Sequence, residues 1–108
     1  MANTFTSAAT GSNTNITTLY TCPSATTAVV HAVYLSNTDG TNDANVSISV
    51  SGSATFNTRR NLLKTMEVPA DSTVVVEKPI NLGVGDKLET QASADNDIDV
   101  FASILEMT

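Results

Sequence analysis

The sequence predicts an all-β fold, an antiparallel β-sandwich of jelly-roll-like form with roughly seven to eight short strands. Three observations carry that expectation. Apolar and polar residues alternate with period two in several short runs, the mark of a half-buried strand. Clusters of Gly, Pro, Asn, Asp and Ser interrupt the chain roughly every 8–14 residues, the spacing found in sandwiches and barrels. No stretch repeats its apolar positions with helical period over the length a stable helix needs.

The elements follow in chain order. Residues 1–14 read as an N-terminal arm or edge strand, small and polar, with Phe5 the one large anchor and Gly11-Ser12-Asn13 a turn. Residues 15–108 read as one sandwich domain. A short strand covers residues 15–21, with Ile16 and Leu19 or Tyr20 as apolar contacts, and Cys22-Pro23-Ser24-Ala25 closes it. The longest apolar run is A-V-V-H-A-V-Y-L-S, residues 28–36. Strict alternation puts Val29, His31, Val33 and Leu35 on one face and Val30, Ala32 and Tyr34 on the other. A strand apolar on both faces is central in its sheet or meets another subunit. A polar loop with an Asp39-Gly40 turn signal follows.

Residues 44–51 alternate most cleanly: Val46, Ile48 and Val50 point in, while Ser47, Ser49 and Ser51 point out. Gly52-Ser53-Ala54 turns the chain. Residues 56–68 place Leu62, Leu63 and Met66 near one another, but Asn57, Thr58, Asn61 and Thr65 make a poor helix, so the segment reads as one or two strands around Arg59-Arg60. Pro69-Ala70-Asp71-Ser72 sets a turn, because proline fixes φ and the Asp and Ser side chains bond back to nearby backbone. Thr73-Val74-Val75-Val76 is β-branched and extended, and Pro79 ends that strand or sits at an edge. After the turn Gly83-Val84-Gly85-Asp86, Leu88, Thr90 and Ala92 share one face and Lys87, Glu89 and Gln91 the other. The last strand, residues 97–107, has Ile98, Val100, Ala102 and Ile104 on one face and Asp99, Phe101, Ser103 and Leu105 on the opposite one.

Composition limits the function classes. The 108 residues fit one domain, long enough to bury a core without staples. Aromatics make up 5% and Trp is absent, so the core is Val, Ile, Leu and Ala. Eleven acids against five cations give a net charge of −6, a poor match to a phosphate backbone, and no direct nucleic-acid partner is expected. The single Cys22 excludes an intrachain disulfide and a cysteine zinc cage. No secretory signal and no run of about 20 apolar residues is visible, so no membrane partner is expected.

Candidate chemistry is sparse. The one imidazole, His31, lies mid-strand, where a histidine is usually packed or interfacial, and a triad needs a nucleophile and an orienting group beside it. Carboxylates cluster at Asp39 and Asp43, and at Asp95, Asp97 and Asp99. Neither cluster follows the twelve-residue calcium-loop pattern; loop tips that use Asp and Asn for turns are the simpler reading, with a weak calcium site at residues 95–99 as the rival. Few aromatics argue against a sugar cleft between two carboxylates. No catalytic residue, cofactor or metal is expected. The residues suited to an interface are Tyr34, Phe101 and Leu105, with Phe5 anchoring the arm; Arg59 and Arg60 would clasp a partner's carboxylate or stand exposed as a basic pair.

Two stretches carry a resemblance: L-Y-T-C-P-S-A-T-T-A-V-V-H-A-V-Y-L-S-N-T-D-G, residues 19–40, and V-P-A-D-S-T-V-V-V-E-K-P-I-N-L-G-V-G-D-K-L-E-T-Q-A-S, residues 68–93. They resemble small β-sandwich virion structural proteins of tailed bacteriophages, of the marine and cyanobacterial phage type. The features shared are their order: a Pro turn, a long strand ending in Ser-Asn-Thr, a Val-Pro-Ala turn, then Gly-x-Gly-Asp-Lys-Leu. The resemblance implies a non-enzymatic virion protein, made in the host cytoplasm, that sits on the capsid as decoration or cement, or in the neck or tail. Its partners would be other virion subunits and further copies of itself in a symmetric homo-oligomer, of which a trimer is one form. A receptor- or glycan-binding module of a tail fibre is the alternative, with the D-G-T-N-D loop as its candidate site.

Overall fold

The computed structural model describes residues 3–52, 59–95 and 97–108. Met1 and Ala2 of the expected arm, Ser53 and Ala54 of the expected turn, residues 56–58 of the expected strand, and Asn96 lie outside the described residues. Among the described residues nine strands follow one another: β1 (Asn3–Ser12), β2 (Thr17–Thr21), β3 (Thr27–Asn37), β4 (Ala44–Ser51), β5 (Arg60–Val68), β6 (Thr73–Val76), β7 (Ile80–Leu82), β8 (Lys87–Ala92) and β9 (Ile98–Met107).

They form two antiparallel sheets. Sheet A has the order β1-β9-β3-β6, with β7 also on β3, and sheet B the order β2-β8-β4-β5. The strand β6 pairs with residues 33–36 of β3, and β7 with residues 28–30. They are one edge strand interrupted at residues 77–79, where Pro79 has no N–H to give a ladder. With that edge taken as one position, four positions face four, and the chain crosses between sheets in jelly-roll order. The expected antiparallel sandwich is what the chain forms.

The core lies between the sheets. Val30, Val33 and Leu35 from β3 and Ile98, Val100, Ala102 and Ile104 from β9 meet Val46, Ile48 and Val50 from β4 and Leu88 from β8, all buried. Each of the larger side chains contributes about 1.5–3 kcal/mol on burial. β9 alternates as the sequence predicts; in β8 Leu88, Thr90 and Ala92 are buried as expected, but Glu89 is buried with them.

Other details differ from the sequence reading, beginning with Gly11 and Ser12, which end β1 rather than form a turn. In β3 the buried phase shifts from Ala28 and Val30 to Val33 and Leu35. The pairing with β9 steps from Val30↔Ile104 to Ala32↔Ser103, so His31 is an extra, bulged residue. Val29 and His31 therefore do not share a face with Val33 and Leu35. In β4, Ser49 points away from the core as expected but is only 5% exposed, because it is flanked by Glu89 on β8 and Asn61 on β5. Ile16 lies in the β1–β2 turn, exposed, while Leu19 is buried.

Polar groups inside the sandwich are satisfied. Ser12 Oγ and Thr90 Oγ1 share a hydrogen bond of 3.0 Å between the sheets. The Asn37 amide donates to the carbonyls of Asn42 and Val68, both at 2.9 Å, and its oxygen accepts from the Asp39 N–H. One buried side chain thus fixes the β3–β4 loop against the end of β5.

Candidate interaction surface

Among the described residues, four of the eight exposed large apolar side chains, Phe5, Tyr34, Val75 and Phe101, lie on the outward face of sheet A; Leu62 and Met66 lie on β5, the edge of sheet B, and Ile16 and Val84 in turns. Register aligns the side chains of the sheet A face in rows across the strands. One row runs Ala9 (β1), Phe101 (β9), Tyr34 (β3), Val75 (β6). A second runs Phe5 (β1), Leu105 (β9), Val29 (β3). Ser7, Ser103 and Ala32 separate the two rows. Tyr34 and Phe101, each 41% exposed, pack edge-to-face at 5.9 Å between ring centroids and line a shallow depression of about 310 Å³ with Ala9. Phe5 is 77% exposed; its ring contact is His31, 6.1 Å away, brought there by the bulge in β3.

Four of the six interface residues read from the sequence, Phe5, Tyr34, Phe101 and Leu105, therefore share one face. Arg59 and Arg60 do not join them. Arg59 Nε lies 3.2 Å from Glu89 Oε1 on sheet B, an ion pair within the chain, and Ser51 Oγ donates to the same oxygen at 2.9 Å. Arg60 opens β5, the edge strand of that sheet. Sequence reasoning passed over Val75 and Val29 as parts of apolar runs; only cross-strand register reveals them as the ends of the rows.

The groups able to do chemistry are committed to structure. Among the described residues the His31 imidazole makes no hydrogen bond, so no orienting carboxylate or hydroxyl accompanies it. Cys22 is buried, and its thiol donates to the Thr26 carbonyl at 3.3 Å. Burial first, then the charges of Glu106 and Asp86, push its pKa up and disfavour the thiolate. Tyr20 donates to Glu106 Oε2 across the sheets, and burial followed by that carboxylate raises the phenol's pKa well above its ordinary value.

The two carboxylate clusters hold loops. Asp39 Oδ1 accepts from the N–H groups of Thr41 (2.8 Å) and Asn42 (3.3 Å), and Oδ2 from the Asn42 amide. The Thr41 bond leads the effects that lower its pKa. Asp43 Oδ1 accepts from the Ala70 N–H, and Asp95 Oδ1 from the N–H and hydroxyl of Thr14. Among the described residues no group of three or more His, Cys, Asp and Glu is placed to hold a metal ion, and no helix is long and apolar enough to cross a membrane.

Solved structures supply the comparison that sequences do not. No protein-family model matches the chain, and no curated protein matches it. Its fold is similar to a chain in the acidic stable capsid structure of Helicobacter pylori bacteriophage KHP30, with a TM-score of 0.57 and 16% identity over 100% of this chain and 89% of that one. It is also similar to a chain of the T13 IBDV viral particle, with a TM-score of 0.57 and 11% identity over 96% of this chain and 30% of that one. This is a fold shared with chains of viral capsids. At such identities the likeness is one of fold.

Proposed function

We propose that the chain is a non-enzymatic structural module of a bacteriophage virion that assembles with other virion subunits through the outward face of sheet A. The observation that carries this reading is the pair of apolar rows, Ala9-Phe101-Tyr34-Val75 and Phe5-Leu105-Val29, exposed on a jelly roll. Tyr34, Phe101 and Val75 are 38–41% exposed, so burying what remains is worth about 1 kcal/mol each, and Phe5, 77% exposed, about 2 kcal/mol; aromatic residues in such a patch are usual hot spots. The sequence resemblance to phage virion proteins and the capsid origin of the similar folds support the same reading.

Within the virion, capsid decoration or cement is one position and the neck or tail another. Mass spectrometry of purified particles separates them. A copy number near that of the capsid protein means decoration, whereas about six or twelve copies suit neck or tail symmetry. Absence of the chain from particles, with binding of the isolated protein to host cells or polysaccharide, would favour a receptor- or glycan-binding module and overturn the structural reading.

A further inference from the structure

The sandwich has four edge positions, and three of them are guarded against pairing with another chain. The β6/β7 edge is broken at residues 77–79 and contains Pro79. β5 carries Arg60, Lys64 and Glu67, slips register twice against β4, and holds Thr65 at φ 55°. β2 is five residues long with a register shift of its own. Breaks, charges, bulges and shortness are the means by which edges avoid edge-to-edge pairing.

β1 has none of them. Its ten residues, N-T-F-T-S-A-A-T-G-S, contain no charge and no proline, and they pair with β9 in unbroken register from Asn3↔Met107 to Ser12↔Ile98. Among the described residues β9 is its only strand neighbour, so its other edge presents free N–H and C=O groups. We infer that this edge pairs antiparallel with β1 of a second copy, joining two A sheets into one continuous sheet about a two-fold axis. The inference rests on edge geometry and stands independently of the virion reading.

Two observations select a second copy in antiparallel orientation. The first is charge. The loops at one end of the sandwich, residues 38–43, 69–72 and 93–97, hold Asp39, Asp43, Asp71, Asp95 and Asp97 and no Lys or Arg, while at the other end Arg59, Arg60 and Lys87 are balanced by Asp86, Glu89 and Glu106. Antiparallel pairing sets the acidic end of each copy beside the charge-balanced end of the other; a parallel arrangement would bring the two acidic ends together. The second is shape. Directly opposed residues share a face, so a two-fold register centred on the strand puts Ser7 opposite Ser7 or Ala9 of the second copy. In those registers Phe5 falls opposite Ala9 or Gly11 of that copy, the smallest residues on the outward face of β1. Each exposed Phe5 ring then has open space to cover. One such edge per copy closes the assembly at two.

The test is a charge swap on the full chain, read by sedimentation equilibrium with circular dichroism as the check of folding. The native chain is expected to be a dimer. The Ser7→Lys/Ala9→Lys variant sets like charges opposite each other and is expected to be folded with dimerisation weakened at least tenfold, as is Ser7→Glu/Ala9→Glu. Mixing the two variants is expected to restore the dimer, a result that a merely destabilised fold cannot give. A monomeric native chain, variants that retain the native association state, or a mixture that stays monomeric would each overturn the inference.

Discussion

The outward faces of the two sheets differ in what their side chains have left to do. On sheet B, Glu89 is buried under its bonds to Arg59 and Ser51, and Ser47 Oγ accepts the N–H of Thr65 at the bulge in β5. Those polar groups are satisfied within the chain, and the exposed apolar residues of sheet B, Leu62 and Met66, are confined to its edge strand β5. On sheet A, Phe5, Tyr34, Val75 and Phe101 are exposed in register rows. The same β alternation that builds the core therefore gives one face that finishes the fold and one that offers apolar area to a partner.

The largest effect should come from charging the two faces in turn. Tyr34→Asp with Phe101→Asp is expected to weaken association with the partner subunit by roughly thirtyfold or more, as loss of a hot spot of at least 2 kcal/mol implies. Ser47→Asp with Gln91→Asp, on sheet B, should leave that affinity within about threefold of native. Titration calorimetry on particles or on the purified partner reads both. Equal losses from the two faces would erase the distinction.

Substitutions away from the apolar rows separate folding from contact. Asn37→Ala removes the amide that joins the β3–β4 loop to β5, including its buried bond to the Val68 carbonyl, for an expected loss of about 1–3 kcal/mol in denaturant unfolding. Glu89→Ala should cost less, about 0.5–1.5 kcal/mol, since Arg59 is partly solvated, and should not change partner affinity. A Glu89 effect on affinity would show that sheet B also makes contacts.

Much of this was legible before any coordinates. β4, β8 and β9 each bury one face wholly, so period-two alternation names their core residues without ambiguity. β3 was misread beyond Val30 because one bulged residue, His31, reverses the face of all that follow it, and no local residue type announces the bulge. Phe5, Tyr34, Phe101 and Leu105 stood out as large apolar residues on polar or doubly apolar strands. Arg59 did not reveal its use, because its partner Glu89 is 30 residues away and only the sheet order brings them together.

Two smaller effects concern the ends of the sandwich. The native state holds the Tyr20 phenol protonated, through burial and Glu106, while the unfolded chain releases that proton near pH 10. Stability from this contact is complete below the ordinary phenol pKa and lost as pH rises through it. Tyr20→Phe should flatten the alkaline fall in melting temperature, and Cys22→Ala should remove a similar fall that begins near pH 8.5. Asp39, whose pKa is lowered chiefly by the Thr41 N–H, behaves oppositely. Its contribution is present above the ordinary carboxylate pKa and lost as pH falls, so Asp39→Ala and native melting curves should converge in acid, with the smallest difference of the set.

Hydroxyl-radical footprinting of the assembled particle against the isolated chain tests the central claim most directly. The account predicts that Tyr34 and Phe101 are labelled in the free chain and protected on assembly, while Tyr20 and Met66 of sheet B change little. Protection confined to sheet B, with Tyr34 and Phe101 labelled as fully in the particle as in solution, would contradict it.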